Sequence, residues 1–179
     1  MADLHFRIAT LNDAPSIQQL VQSAFRAEDS RKDWTADMEL GKSFTVSVEE
    51  VKTVITNPDS VILLAFTKDN DQEILVASMD TVKRPNNSAR FSMVAVNQNY
   101  QQAGVGRRAL AYAEEYSQQT WGVTTLGLNA LSTRQELIAW YLRQGYRKTG
   151  EESPFPTEKF PHLDLPEDMC FVEMEKQLA

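Results

Sequence analysis

Phe91-Ser-Met-Val-Ala-Val96, then Tyr100-Gln-Gln-Ala-Gly-Val-Gly106, then Arg107 and Arg108, is the stretch on which the fold turns. The apolar run reads as a strand. A polar loop containing glycine follows it, and Leu110, Ala111, Ala113 and Tyr116 then give an apolar helical face. The start of such a helix carries unsatisfied N–H groups and about half a positive charge. Gly104 and Gly106 allow close approach of the main chain to an anion. Arg107 and Arg108 are unfavourable in a first turn unless an anion offsets them. Gln101, Gln102, Ala103, Gly104, Val105, Gly106 and Arg107 therefore read as a pyrophosphate site. Taken alone, the loop fits equally well a tight strand–helix turn with solvated arginines. A Walker loop is excluded because no GxxxxGK[ST] occurs. A dinucleotide GxGxxG is excluded because Ala109 stands where its third glycine would be.

Upstream, Phe6–Ala9 reads as a first strand. Asn12 is a candidate cap, with Pro15 in the first turn of a helix whose Ile17, Leu20, Val21, Ala24 and Phe25 share a face. From Arg26 to Ser43 the pattern breaks and the composition turns charged. Ser47-Val-Glu-Glu50 is a capping box opening a short helix with Val51, Val54 and Ile55. Val61–Phe66, Ile74–Val82 and Arg90–Val96 read as strands joined by polar turns. Downstream, Thr124–Ala130 is a strand, and Thr133-Arg-Gln-Glu136 reads as a second capping box before Leu137, Ile138, Trp140, Tyr141 and Leu142. Gly145 fits the end of that helix. Tyr146–Thr149 and Met169–Glu175 are the last strands. Four of the seven prolines lie between them and predict a long rigid loop. The order β-α-α-β-β-β-α-β-α-β-β predicts an α+β chain with helices packed on a single mixed, mostly antiparallel sheet.

The 179 residues suit one domain, 1–179, with a core that needs no staple. The net charge of −7 argues against nucleic acid or an anionic membrane as partner. Residues 97–148 nonetheless hold six basic side chains against three acidic ones, which suits a small anion. Cys170 is the lone cysteine, and His5 and His162 are far apart, so no metal site is expected. The N-terminus shows no signal-peptide core and no apolar run is long enough to span a membrane, so a reducing, cytoplasmic compartment is expected. Exposed strand edges or the helix of Tyr116 would allow a homodimer.

The strand, the loop and Leu137-Ile-Ala-Trp-Tyr-Leu-Arg-Gln-Gly-Tyr146 together resemble the successive motifs of the GNAT superfamily of N-acetyltransferases. The resemblance implies an α/β/α fold of the acyl-CoA N-acyltransferase type, with a splayed central sheet that holds acetyl-CoA. It implies that main-chain groups of Val94 and Val96 pair with the pantetheine amides. The loop and Arg107 would hold the pyrophosphate, and an N–H near Val94 would face the developing oxyanion. Tyr141 would be the general acid that protonates the CoA sulfur. Arg134 departs from the asparagine common at its position, and Leu137 from a small alanine. By helical spacing alone Tyr141, like Trp140 and Tyr146, would be a packing residue.

The base is less plainly marked. Asp80 is the leading candidate, because a charge inside an apolar strand is less expected than one on a helix face. Glu28, Asp37 and Glu39 lie in the segment expected over the acceptor, where Glu28, Trp34 and Phe155, with Phe160, would line the pocket. The implied function is direct acetyl transfer, in a ternary complex, to the amine of a small molecule. The alternatives are a protein N-terminus or lysine as acceptor, or a non-catalytic acyl-CoA-binding module.

Overall fold

The structure is a computed structural model that describes residues 3–26 and 44–178, and of Gln102 the backbone alone. Strands β1 (His5–Ile8), β2 (Ser60–Asp69), β3 (Gln72–Arg84) and β4 (Ser88–Val96) pair antiparallel in that order. Asn70 and Asp71 close the β2–β3 hairpin at φ of 50° and 65°, a two-residue turn that polar short side chains tolerate. Helices α1 (Ala14–Arg26) and α2 (Val48–Thr56) precede β2. Then come α3 (Val105–Trp121), β5 (Thr125–Leu131), α4 (Gln135–Arg143), β6 (Arg147–Pro154) and β7 (Cys170–Gln177). Among the described residues the sheet has seven strands in the order β1-β2-β3-β4-β5-β7-β6, and β4–β5 is its parallel junction.

Alternation along the strands sends apolar side chains to both faces. Ile62, Leu64, Phe66 and Ala95 meet Ile17, Leu20, Val21 and Val51 from α1 and α2. On the opposite face Phe91, Leu126, Leu128 and Met174 meet Leu110 and Ala113 of α3 and Leu137, Ile138 and Tyr141 of α4. The result is the expected three-layer α+β arrangement, with a single mixed sheet between helices.

Local signals fared unevenly. The Ser47 box forms as expected: the Ser47 hydroxyl accepts from the Glu50 N–H at 3.1 Å, and the Glu50 carboxylate accepts from the Ser47 N–H at 3.3 Å. Asn12 is not the cap of the first helical segment. Thr10 is, ahead of a short 3-10 turn at Leu11–Asp13. Nor does Thr133 form a box. Arg134 caps α4, since the Ile138 N–H donates to the Arg134 carbonyl at 3.0 Å, and the buried Thr133 hydroxyl has no partner among the described residues. At the other end of α4, Gly145 (φ 97°) does stop the helix. Its N–H donates to Leu142 O at 3.1 Å, and that of Tyr146 donates to Tyr141 O at 3.2 Å, a Schellman closure.

Asp13 ties β1 to this entry into α1. Its carboxylate accepts from both Arg7 terminal nitrogens and from the Thr10 N–H, each at 2.8 Å. The Arg7 hydrogen bonds hold its carboxyl down at about 2, against the opposing effect of burial. A carboxyl lowered in this way stabilises the fold above its unfolded value, and the contribution fades as pH falls towards about 2. Asp13→Asn should therefore cost about 1 kcal/mol at pH 7. Urea unfolding at pH 7, 4 and 2.5 checks this: the gap from wild type should shrink with acid, and a constant gap would contradict the assignment.

Candidate active site

The sheet opens between β4 and β5. Their pairing lasts for three residue pairs, Ser88–Thr125, Ala89–Leu126 and Arg90–Gly127. Beyond Arg90 and Gly127 the strands diverge, while β4 stays paired to β3 and β5 to β7. The two facing edges thus carry N–H and C=O groups without a strand partner. The Asn97 N–H donates to Val76 O on β3 at 2.8 Å. Ladder alternation therefore points the amides of Val96, and of Val94 before it, away from β3 and into the gap.

A β-bulge sits at the head of this edge. Asp80 opposes Ser92 whereas Ser78 opposes Ala95, so β4 carries one residue more than β3. The extra residue is accommodated at Met93, which takes φ 48° in the left-handed region that side chains seldom adopt. At the vertex of the splay, the Arg90 guanidinium donates to both Glu173 oxygens on β7, at 3.1 and 3.3 Å. Glu173 also accepts from Asn129 at 3.1 Å and Ser153 at 3.0 Å. Burial pushes the Glu173 carboxyl up, but these donors outweigh it and hold it below its ordinary value. Strands β4, β5, β6 and β7 are thereby laced together where the gap begins.

The far end of the gap meets the start of α3. Gln98–Ala103 forms a 3-10 turn, and Gly104 (φ 74°) links it to the helix. The first helical bond there runs from the Arg108 N–H to Gly104 O at 3.2 Å, so the N–H groups of Val105, Gly106 and Arg107 have no acceptor inside the helix. No acidic side chain occupies this first turn. Arg107 is exposed, whereas the Val105 side chain is core, leaving its backbone for an outside partner. A Cβ on Gly104 would meet nothing within 4 Å, so the space in front of that main chain is open.

A sequence profile of the Acetyltransferase (GNAT) family matches residues 15–146. The chain belongs to the GNAT acetyltransferase family. Solved structures agree in fold. The ribosomal-protein-S18-alanine N-acetyltransferase of Escherichia coli is similar with a TM-score of 0.70 at 17% identity, over 99% of this chain and 95% of that one. A ribosomal-protein-alanine N-acetyltransferase from Brucella melitensis is similar at 0.67 and 20%, over 97% and 99%. A chimera of spermidine N-acetyltransferase from Vibrio cholerae and hSSAT is similar at 0.67 and 14%, over 97% and 94%. No curated protein sequence matches the chain.

In this N-acetyltransferase, Tyr141 on α4 is 5% exposed and sits in the core under the α3–α4 face. Burial pushes its phenol up to about 12, and the positive charge of Arg134 pulls partly against that. Its ring is flanked edge-to-face by Trp140 at 5.2 Å and Tyr146 at 6.0 Å. Tyr146 is core, as its spacing suggests, and its hydroxyl donates to Glu114 at 2.8 Å. Asp80 lies on the other face. Its register partners Ile62 and Ser92 share that face, and Ile62 packs with α1. It is 8% exposed, and burial pushes its carboxyl up to about 7. Asp80 thus lies beside the bulge on one face of the sheet, and Tyr141 lies in the core on the other.

Phe155 stacks on Phe160 at 5.7 Å and tilts against Phe171 of β7 at the same distance. Glu28 and Trp34, like Asp37 and Glu39, lie outside the described residues. Two features escaped the sequence: the bulge at Met93, because nothing in a methionine announces a positive φ, and the Arg90–Glu173 lacing, which joins residues 83 positions apart. The glycines of the α3 loop were the detectable part. Gly104→Glu would put bulk and negative charge in front of the α3 amides and force a side chain into φ 74°. It should weaken acetyl-CoA binding by more than about tenfold by calorimetry. Gly104→Ala shares the backbone strain without the charge, so it should lose much less.

Proposed function

We propose that the protein transfers the acetyl group of acetyl-CoA to the primary amine of a small molecule, by direct attack in a ternary complex, with Tyr141 as general acid and Asp80 as general base. The observation that carries the proposal is the gap itself. It is an internal sheet edge whose amides at Val94 and Val96 lack a strand partner, and it ends at a helix start with three open N–H groups and no acidic neighbour. An amide-bearing arm ending in a diphosphate has groups of matching kind in that order.

The donor supplies an activated acyl group on a thiol leaving group. The chain supplies the rest. Main-chain amides of Val94 and Val96 pair with the arm as an added strand would. The Gln101–Gly106 backbone and Arg107 hold the phosphates, with Gln102 contributing through its backbone. Next to the bulge, an N–H near Val94 is free to stabilise negative charge on the acyl oxygen. A carboxylate whose value lies near 7 is suited to removing a proton from an ammonium, directly or through one water. A phenol held at about 12 remains protonated throughout the working range. It can donate to the departing sulfur, and Arg134 moderates the cost of charge on it. The stacked rings of Phe155, Phe160 and Phe171 offer an apolar surface that would suit the carbon skeleton of a small amine.

Tyr141→Phe should lower kcat by about 10²-fold or more while acetyl-CoA affinity stays within about twofold. Steady-state turnover followed by free-thiol release, with calorimetry beside it, separates the two. An unchanged kcat removes the phenol from the mechanism. Asp80 gives a paired test. Wild-type kcat/KM should rise with pH through about 7 as the carboxylate ionises, and Asp80→Asn should lack that limb. The same substitution should stabilise the fold above pH 7. A carboxyl raised by burial binds its proton more tightly when folded, so wild-type stability falls as pH rises from about 4 to about 7. Chemical denaturation at pH 5 and 8 reads this directly.

A further inference from the structure

Lys176 stands on β7 and shares the sheet face of its register partner Leu126, the face that packs on α3 and α4. A cation beside that apolar layer needs partners, and it has three. Its Nζ donates to a Glu114 carboxylate oxygen on α3 at 3.1 Å and to the Gln144 carbonyl at the end of α4 at 2.9 Å. It also lies 5.7 Å from the centre of the Tyr146 ring. Gly145 permits this approach, since a Cβ there would meet Lys176 Cε at 3.2 Å. The other Glu114 oxygen accepts from the Tyr146 hydroxyl at 2.8 Å. Burial, and the Glu114 charge beside it, push the Tyr146 phenol up, so that hydroxyl keeps the proton it donates.

Tyr146 carries the chain of contacts to Tyr141. Its N–H donates to the Tyr141 carbonyl at 3.2 Å, and its ring meets the Tyr141 ring edge-to-face at 6.0 Å. Tyr141 lies in the last turn of a nine-residue helix. Last turns fray, and a side chain there keeps a fixed place only if the turn is held from outside. The Lys176 ammonium does so twice: it bonds an open carbonyl at the helix end, and its charge complements the negative end of the helix dipole.

We infer that Lys176 is a positioning residue, which through Glu114 and Tyr146 fixes the ring of Tyr141 and so the point from which the phenol delivers its proton. This rests on the reading of Tyr141 as general acid given above. One ammonium joins β7, α3 and the end of α4, and each of these elements contributes to the core in which Tyr141 sits. Without it, the buried Glu114 carboxylate keeps only the Tyr146 hydroxyl among the partners described, and the α4 end loses its outside support. A displacement of about 1 Å in a reacting group can cost up to about 10²-fold in rate.

The test is a double-mutant cycle in the full chain, Lys176→Met against Tyr141→Phe, using acetyl-CoA and a primary amine that the wild type acetylates. Lys176→Met should lower kcat about tenfold while KM for acetyl-CoA stays within about twofold. In the Tyr141→Phe background the same change should lower kcat by less than about twofold, because the group it positions is gone. An unchanged kcat, an equal fall in both backgrounds, or a loss carried by KM would overturn the inference and leave Lys176 as a support of the fold. Glu114→Gln keeps an acceptor for the Tyr146 hydroxyl and removes the charge facing Lys176. It should show a smaller fall with the same dependence on Tyr141, and it carries the test if Lys176→Met does not fold. Wild-type kcat in Tyr141→Phe itself, or no amine acetylated by the wild type, would instead remove the general-acid reading, and this inference with it.

Discussion

Beyond Arg90, β4 has a neighbour on one side only, and that constraint organises the rest of the molecule. A central strand normally satisfies its main-chain groups on both flanks. Here six residues of β4 run on past its pairing with β5. The bulge at Met93 turns the edge, the lacing of Arg90 to Glu173 fixes where divergence starts, and α3 returns the chain across the opening to begin β5. Each feature would be an irregularity in a closed sheet. Together they make a slot with hydrogen-bonding walls.

Burial shifts two groups near the slot in the same chemical direction, towards the neutral form, with opposite consequences for function. For Tyr141 the neutral phenol becomes still more persistent. For Asp80 it brings a carboxyl from full ionisation to the middle of the physiological range. The two groups thus reach neutral pH in different states, the phenol neutral and the carboxyl divided between its two forms.

Most of the architecture was legible in the sequence because it is written in short-range patterns. The apolar run Val61–Phe66, the Ser47–Glu50 box and the turn-forming Gly145 each act within a few residues. The element order followed from them, and strand ends moved by three residues or fewer except at β6, which runs five residues past Thr149 and takes in Pro154, the first proline of the expected loop. The two capping misreadings share one cause. Thr133 and Asn12 are good caps by type, but a neighbour, Arg134 or Thr10, holds the position where the first helical carbonyl sits. What local pattern cannot carry is pairing at a distance. The extra residue of β4 becomes visible only against β3, and Glu173 only against Arg90. Trp140 reads as a packing residue from its helical spacing, and it packs against the core under α3. Glu28 and Trp34 fall outside the described residues.

An open strand edge is ordinarily a hazard, since it invites a second chain to add to the sheet and begin aggregation. Proteins commonly blunt such edges with charge, proline or a covering loop. This one keeps its unsatisfied edge inside the sheet, recessed between two walls that are themselves fully paired on their outer flanks. Helices pack on both faces of the sheet, so a second chain does not meet this edge as it would an outer strand. Recessing the edge thus separates two properties that usually travel together: readiness to form main-chain hydrogen bonds, and vulnerability to self-association.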